Sequence, residues 1–306
     1  MMSKITEKLL SLVSDWQGGF SGAYNIREDG MCAGRLSTEH IQIESKTDKP
    51  GLDIIVLPGT KGETVYIPAC VTHGNIDDLV YNDFYIGEGA DVTIIAGCGV
   101  HTEDEEDARH NGIHRFFLEK NSHVKYIEKH VGTGNGTGLR KIDPVTEATL
   151  AEGSTLEMDT SQIGGVDRTT RKTKATVAAD AKLLIRERLL TEGTQYANTD
   201  FEVYLNGENS GTTLTSRSVA KGDSVQEYHS KIIGNASCTG HSECDAIIDD
   251  NGVVKAVPEL IANDGDAALI HEAAIGKIAG EQILKLRTLG LTEEEAEAKI
   301  VSGFLK

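Results

Sequence analysis

A chain of 306 residues with 48 acidic against 30 basic side chains has a formal net charge of -18, which repels phosphate backbones and anionic headgroups and excludes nucleic acid as a natural partner. No apolar run reaches transmembrane length and the opening "MMSKITEKLLSLVSDW" has no signal-peptide core, so no membrane partner is expected and the chain reads as cytoplasmic. Five scattered cysteines, an odd number, argue for free thiols or ligands over a secreted disulfide framework.

Ile5, Leu9, Leu12, Val13 and Trp16 recur at helical spacing, which predicts an amphipathic helix over 4–16 closed by Gly18 and Gly19. The helix occupies a first unit, 1–19. From 20 to 276 short alternating segments such as "DVTIIAG", "HVKYIEKHV" and "FEVYLNG" follow one another between Gly, Asn and Asp, so this unit is all β. A turn motif, small or polar residues leading into an apolar strand, recurs in "EGADVTI", "KNSHVKY", "EGSTLEM", "ADAKLLI", "KGDSVQE" and "NDGDAALI" at intervals of roughly 27 to 43 residues. Such spacing suits the coils of a β-solenoid and also the hairpins of a sandwich. In 277–306 the helical period returns. Ile283, Leu284, Leu286 and Leu289 precede Gly290, and Thr292 with Glu295 forms a capping box for a second helix on which Ala296, Ile300 and Phe304 share a face. A helical hairpin of this kind is docked on the β unit or offered to a partner.

His271 and Glu272 sit in the apolar run "ALIHEAAIGKI". A zincin helix would need a second His at 275, which is Ile. In a strand the two side chains point to opposite faces. Cys70/His73, Cys98/His101 and His241/Cys244 have metal-like spacing, and the last two pairs support an alternative reading as a zinc-binding β protein or enzyme. Chelation by residues three apart requires turns, because in a strand they face opposite sides. Cys32, Cys70 and Cys238 read as plain small hydrophobes, whereas Cys98 and Cys244 are expected beside turns with polar neighbours that tune a thiolate. "HTEDEEDARH" reads as a solvated loop, "GTGNGTG" as a flexible turn, and "RTTRKT" as a basic patch paired to acidic neighbours across strands. No nucleophile elbow occurs.

The run from "GHSECDAII" through "AVPELIANDGDAALIHEAAIGKIAGEQILKLRTLGLTEEEAEAKIVSGF" resembles the SufB/SufD family, scaffolds of the SUF iron–sulfur cluster assembly system, and "EGADVTIIAGCGVHTEDE" matches it more loosely. The resemblance implies a right-handed parallel β-helix whose C-terminal helices dock a SufC-type ABC ATPase. It implies a scaffold, not an enzyme, with a transient iron–sulfur cluster as cargo. Cys244 stands at the family's cluster-holding cysteine, His271 and Glu272 at its interface His-Glu positions, Cys98 at a cysteine that accepts or relays sulfur, and His110 near a further family His. Cys244, His271 and Glu272 are therefore the expected metal ligands. Thiolate is the usual ligand of such clusters, and imidazole or carboxylate would make the cluster releasable. Further partners implied are a sulfur donor, either a cysteine desulfurase or a sulfur carrier, and recipient apoproteins. Larger members carry a long helical N-terminal region where this chain has one helix. A short, single-scaffold homodimer is therefore expected, and flavin binding is not.

Overall fold

The turn motifs stack. In the computed structural model, which describes residues 2–306, Gly59, Gly89, Asn121, Gly153, Asp180 and Asn209 take positive φ, from +56° to +74°, a region that Gly, Asn and Asp tolerate best. Their amides donate in succession to the next turn, Gly89 to the Lys120 carbonyl (2.9 Å), Asn121 to Glu152 (3.1 Å), Gly153 to Ala179 (3.0 Å) and Asp180 to Glu208 (2.9 Å). The following residue is small and buried in each, and the hydroxyls of Thr60, Ser122, Ser154 and Ser210 donate to the carbonyl three residues back.

These turns join two sheets wound into a parallel β-helix of about eight turns. Sheet A holds β1 (Ala23–Glu28) and β2 (Met31–Leu36), with β5 (Lys61–Val71), β7 (Asp91–His101), β9 (His123–Thr133), β12 (Thr155–Ile163), β14 (Lys182–Thr191), β16 (Ser210–Ala220), β18 (Cys238–Ile248) and β20 (Ala268–Gly276). Sheet B holds β3 (Ile41–Ser45), β4 (Gly51–Val56), β6 (Ile76–Ile86), β8 (Ala108–Leu118), β10 (Arg140–Ile142), β11 (Val145–Leu150), β13 (Arg168–Val177), β15 (Tyr196–Leu205), β17 (Val225–Gly234) and β19 (Val253–Ala262). Asp91 lies opposite His123, His123 opposite Thr155, Thr155 opposite Lys182 and Lys182 opposite Gly211, so successive coils take 32, 32, 27 and 29 residues. The irregular interval in the sequence has a simple source. "KGDSVQE" lies on the opposite turn, leading into β17 of sheet B, and two copies are missing on the first side, the turns at Asn209 and Ser237 that lead into β16 and β18.

Alternate side chains enter the lumen, where one apolar cluster runs from Ala23 to Cys244 and includes the stacked rings of Phe84 and Phe116 (4.6 Å) and the buried Tyr126 and Phe201. Each such side chain contributes about 1.5–3 kcal/mol on burial. Outside sheet B, Asp83, Arg115, Glu147, Lys174, Glu202, Lys231 and Glu259 form a row of alternating charge across seven strands in register. A one-residue slip would turn the whole set inward, so the row helps fix registry.

Helix α1 (Lys4–Val13), capped by Ser3, lies on the outer face of sheet A. Gly97 and Gly99 of β7 allow the approach, since a Cβ at either would fall within 3 Å of Val13 or Leu9. The helix stops three residues short of the predicted end, where the Ser14 hydroxyl donates to the Leu10 carbonyl and Asp15 takes positive φ. Helix α2 (Gly280–Arg287) buries no residue, while α3 (Glu293–Phe304) begins with the expected Thr292–Glu295 capping box. Val301 and Leu305 pack on Val219 of β16 with Phe304 against them, and Ala296 is fully buried, so the docked stripe keeps two of the three expected residues and widens towards Val301 and Leu305. The "GTGNGTG" turn is ordered, not loose: Gly134, Gly136 and Gly138 lie against the backbone of the acidic 102–107 loop, and Gly136 and Gly138 donate to the Thr102 and Asp104 carbonyls.

The two ends of the coil differ. Antiparallel pairs β1–β2 and β3–β4 close the first. At the other, the outer edges of β19 and β20 pair with no strand among the described residues, and Val253, Val257, Ile270 and Ile275 are exposed there.

Candidate functional site

A polar stripe runs through the lumen beside the apolar cluster, and the candidate residues lie along it. It begins where Arg27 and His110 both donate to Asp78, at 2.6 and 3.0 Å. Burial alone would raise the Asp78 carboxyl, but the two donors hold it below the usual carboxylate range. Asn82 donates to His114 Nε2 (3.3 Å), His114 Nδ1 donates to the Tyr126 hydroxyl (2.7 Å), and Tyr126 donates to Glu128 (2.8 Å), partners that assign the neutral Nδ1–H tautomer. Burial lowers the His114 pKa to about 4, which agrees. Arg171 Nη1 donates to Glu128 at 2.6 Å, and its Nε lies 3.5 Å from Glu187. Glu187 in turn accepts from Thr199 (2.9 Å) and Ser216 (2.8 Å).

Cys98 faces this stripe from β7. With His110, His114, Asn82 and Arg27 it lines a cavity of about 20 Å³, enough for one water. Cys244 faces it from β18, in register with Ser216 on one side and Ala273 on the other. Both thiols are buried in mid-strand, which corrects the expectation that they lie beside turns. Their polar neighbours also act in the opposite sense to the expected tuning. Burial pushes Cys244 up to about 12, with Glu187 and Asp245 adding to it. Burial, then the Glu128 charge, raises Cys98 well above a normal thiol. The resting thiols are protonated and weakly nucleophilic.

The zinc pairs do not assemble. Cys98 and Cys244 face inward, while outside the coil His101 hydrogen-bonds to Thr133 and lies 3.3 Å from Glu103, and His241 lies 3.5 Å from Glu272. Three-residue spacing within a strand separates each pair, which overturns the zinc alternative. Cys70 is buried under α1 with Leu9 and Leu10, whereas His73 is exposed in the turn beyond. Cys32 is exposed on β2, not a core hydrophobe, and Cys238 is buried in the lumen cluster.

His271 and Glu272 occupy the edge strand β20, and they point to opposite faces as strand geometry requires. His271 is in register with Ser242, a lumen residue, and its Nδ1 is buried without a hydrogen-bond partner. Glu272, 68% exposed, projects outside. The structure therefore brings Cys244 and His271 to one lumen end and separates Glu272 from them. Among the described residues no three His, Cys, Asp or Glu side chains converge as a metal site. Arg171, Glu128, Glu187, His114 and His130 were missed by sequence reasoning. Arg171 is the informative miss: in "RTTRKT" every second residue enters the lumen, so one member of an apparent surface patch is buried.

Residues 81–304 match the family model described as SUF system FeS cluster assembly, SufBD core domain. Among curated relatives, an iron–sulfur cluster assembly SufBD family protein of Archaeoglobus fulgidus is 30% identical over 88% of this chain and 71% of its own length. Those of Methanothermobacter thermautotrophicus (strain Winter) and Methanocaldococcus jannaschii are 27% and 28% identical, over 86% and 87% of this chain. This chain spans 64% of the Methanothermobacter protein and 85% of the Methanocaldococcus one.

Proposed function

Because the chain belongs to the SufBD family of iron–sulfur cluster assembly proteins, we propose that it is a scaffold that builds a labile cluster at a seam between two copies of itself. One observation carries the reading. Cys244 and the unpartnered His271 face the lumen at the unpaired end of the coil, Cys244 one strand in and His271 on the edge strand itself. Iron and sulfide are substrates here. Clusters take about four protein ligands; at this lumen end Cys238 lies roughly 20 Å along β18 from Cys244, so the thiol and imidazole that stand close together are Cys244 and His271 alone. Two ends meeting across a two-fold axis double that set, with Glu272 at the rim. The seam would also cover the exposed Val257, Ile270 and Ile275 and the free strand edges, which are otherwise an aggregation liability.

Cys98, beside His110, is the sulfur acceptor in this scheme, loaded by a cysteine desulfurase or sulfur carrier. The α2–α3 hairpin docks a SufC-type ABC ATPase. Leu284 and Leu289, 61% and 75% exposed, suit that contact. Because the thiols are sealed and protonated, they react only slowly in the free chain, and ATP-driven movement by the ATPase would part the coils and speed access to either sulfur. The scaffold supplies ligands and no catalytic group, and recipient apoproteins take the finished cluster.

The test is anaerobic reconstitution with ferrous iron and sulfide. The wild-type chain develops the visible absorption of an iron–sulfur cluster, Cys32→Ala retains it and Cys244→Ala loses it. Equal absorption in the Cys244→Ala chain contradicts the proposal.

A further inference from the structure

The outer face of sheet A carries a feature that cluster assembly does not use. Arg186 and Arg188 on β14, Arg217 on β16 and Lys306 after α3 line a groove of about 340 Å³ together with Thr215 and the carboxylates of Asp159, Glu187 and Glu243. Arg188 and Arg217 are register partners on adjacent strands, which places like charges on backbones about 5 Å apart. Such a pair is destabilising unless an anion lies between its members. Asp159 Oδ1 touches Arg188 Nη2 outside hydrogen-bond geometry and is itself buried without a partner. The Nε atoms of Arg188 and Arg217 are both buried without an acceptor. Asp245, the register neighbour of Arg217, accepts instead from the Ala274 amide (3.2 Å). Among the described residues, Arg186, Arg217 and Lys306 have no ion-pair partner.

A chain of net charge -18 has no shortage of carboxylates with which to neutralise a surface guanidinium. Two adjacent guanidiniums with unanswered donors therefore mark a place where the acceptor comes from outside. We propose that this groove binds a phosphate-type oxyanion, either a free inorganic ion or the phosphoryl group of a small molecule, held by the paired forks of Arg188 and Arg217. Planar guanidinium forks match tetrahedral oxyanions bidentately. The groove volume falls at the lower end of small-molecule sites. The lining carboxylates Asp159, Glu187 and Glu243 repel an extended acidic chain, and the four cationic side chains outnumber them for a compact anion.

Isothermal titration of the full chain with inorganic pyrophosphate, and separately with ribose 5-phosphate, tests this. The expected result is one site per chain for at least one of them. Arg217→Gln and Arg186→Gln each weaken binding by about tenfold or more, while Arg217→Lys, which keeps charge but not the fork, falls between. Lys174→Gln, on the other sheet, leaves it unchanged. Tighter pyrophosphate binding identifies a free inorganic anion as the ligand class, and tighter ribose 5-phosphate binding identifies a phosphorylated small molecule. Thermal denaturation of each variant without ligand confirms that it is folded, and the exposed Arg186 provides the fallback should Arg217→Gln not fold. No heat of binding from either anion at millimolar concentration overturns the proposal, as does equal affinity in the folded arginine-to-glutamine variants.

Discussion

Cys98 and Cys244 face the same lumen from the same sheet, separated by five strand steps through β9, β12, β14 and β16, or about 24 Å. No direct exchange between the two sulfurs is feasible at that distance, and between them stands the Glu128–Arg171–Glu187 set. The two thiols are separate stations in a closed, polar interior.

That closure predicts an order of reactivity. With iodoacetamide at neutral pH, Cys32, exposed on β2, is alkylated first. Cys98 and Cys244 react orders of magnitude more slowly, because burial raises both thiols and blocks access. Peptide mass spectrometry over a time course reads the order. Rapid labelling of Cys244 in the free chain would show that its lumen is open at rest.

Arg171 is the buried cation that answers two buried carboxylates. Arg171→Leu leaves Glu128 and Glu187 unpaired in the lumen and should cost about 3–5 kcal/mol of unfolding free energy. Glu187→Gln, which keeps the shape and most hydrogen bonds, should cost less. Urea denaturation of the two variants makes the comparison.

Gly97 supports the helix on sheet A. A Cβ there meets the Val13 carbonyl at 2.4 Å and Val13 Cβ at 2.6 Å, so Gly97→Val should displace α1 while leaving the coil folded. The readout is exposure of what α1 covers: Cys70, held up to about 12 by burial, becomes reactive to thiol reagents, and the first 15 or so residues become protease-sensitive. Unchanged Cys70 labelling would refute this packing role.

The buried imidazoles set an acid limit. His114 has a folded pKa depressed from 6.5 to about 4, and His130 is lowered too, burial being the main cause in both. Below pH 6.5 the unfolded chain takes up protons that the folded chain refuses, so stability falls as pH drops from 6.5 towards 4. The His114 share is on the order of 3 kcal/mol. The carboxylates of Asp78 and Glu128, depressed in the fold, add a further loss only at lower pH. Urea midpoints across this range should decline, and His114→Gln should flatten the upper part of the decline.

Much of this architecture was legible in the residues. Asn121, Gly153 and Asp180 announce turns because they tolerate positive φ, and the Thr292–Glu295 box announces α3 because both of its hydrogen bonds are local. The opposite facing of His271 and Glu272 follows from strand geometry alone. What could not be read was coil-to-coil registry. That Arg171 meets Glu128, 43 positions earlier, depends on how many residues each turn absorbs, and coils of 27 to 32 residues conceal it. Cys98 and Cys244 were misplaced for a related reason. Flanking Gly and charged residues look like a turn, but at Gly97 and Gly99 they mark a helix pressed against a strand, and at Asp245 the outward half of an alternating strand.

The central claim, that cargo is held where two coil ends meet, is tested most directly by coupling oligomeric state to cluster content. Ile270→Asp places a charge on the outward face of the free edge strand and leaves Cys244 and His271 untouched. Light scattering and iron and sulfide analysis of the anaerobically reconstituted protein should show wild-type dimers carrying one cluster per two chains, and a folded Ile270→Asp monomer carrying none. A monomeric variant that retains a full cluster on each chain would contradict the account.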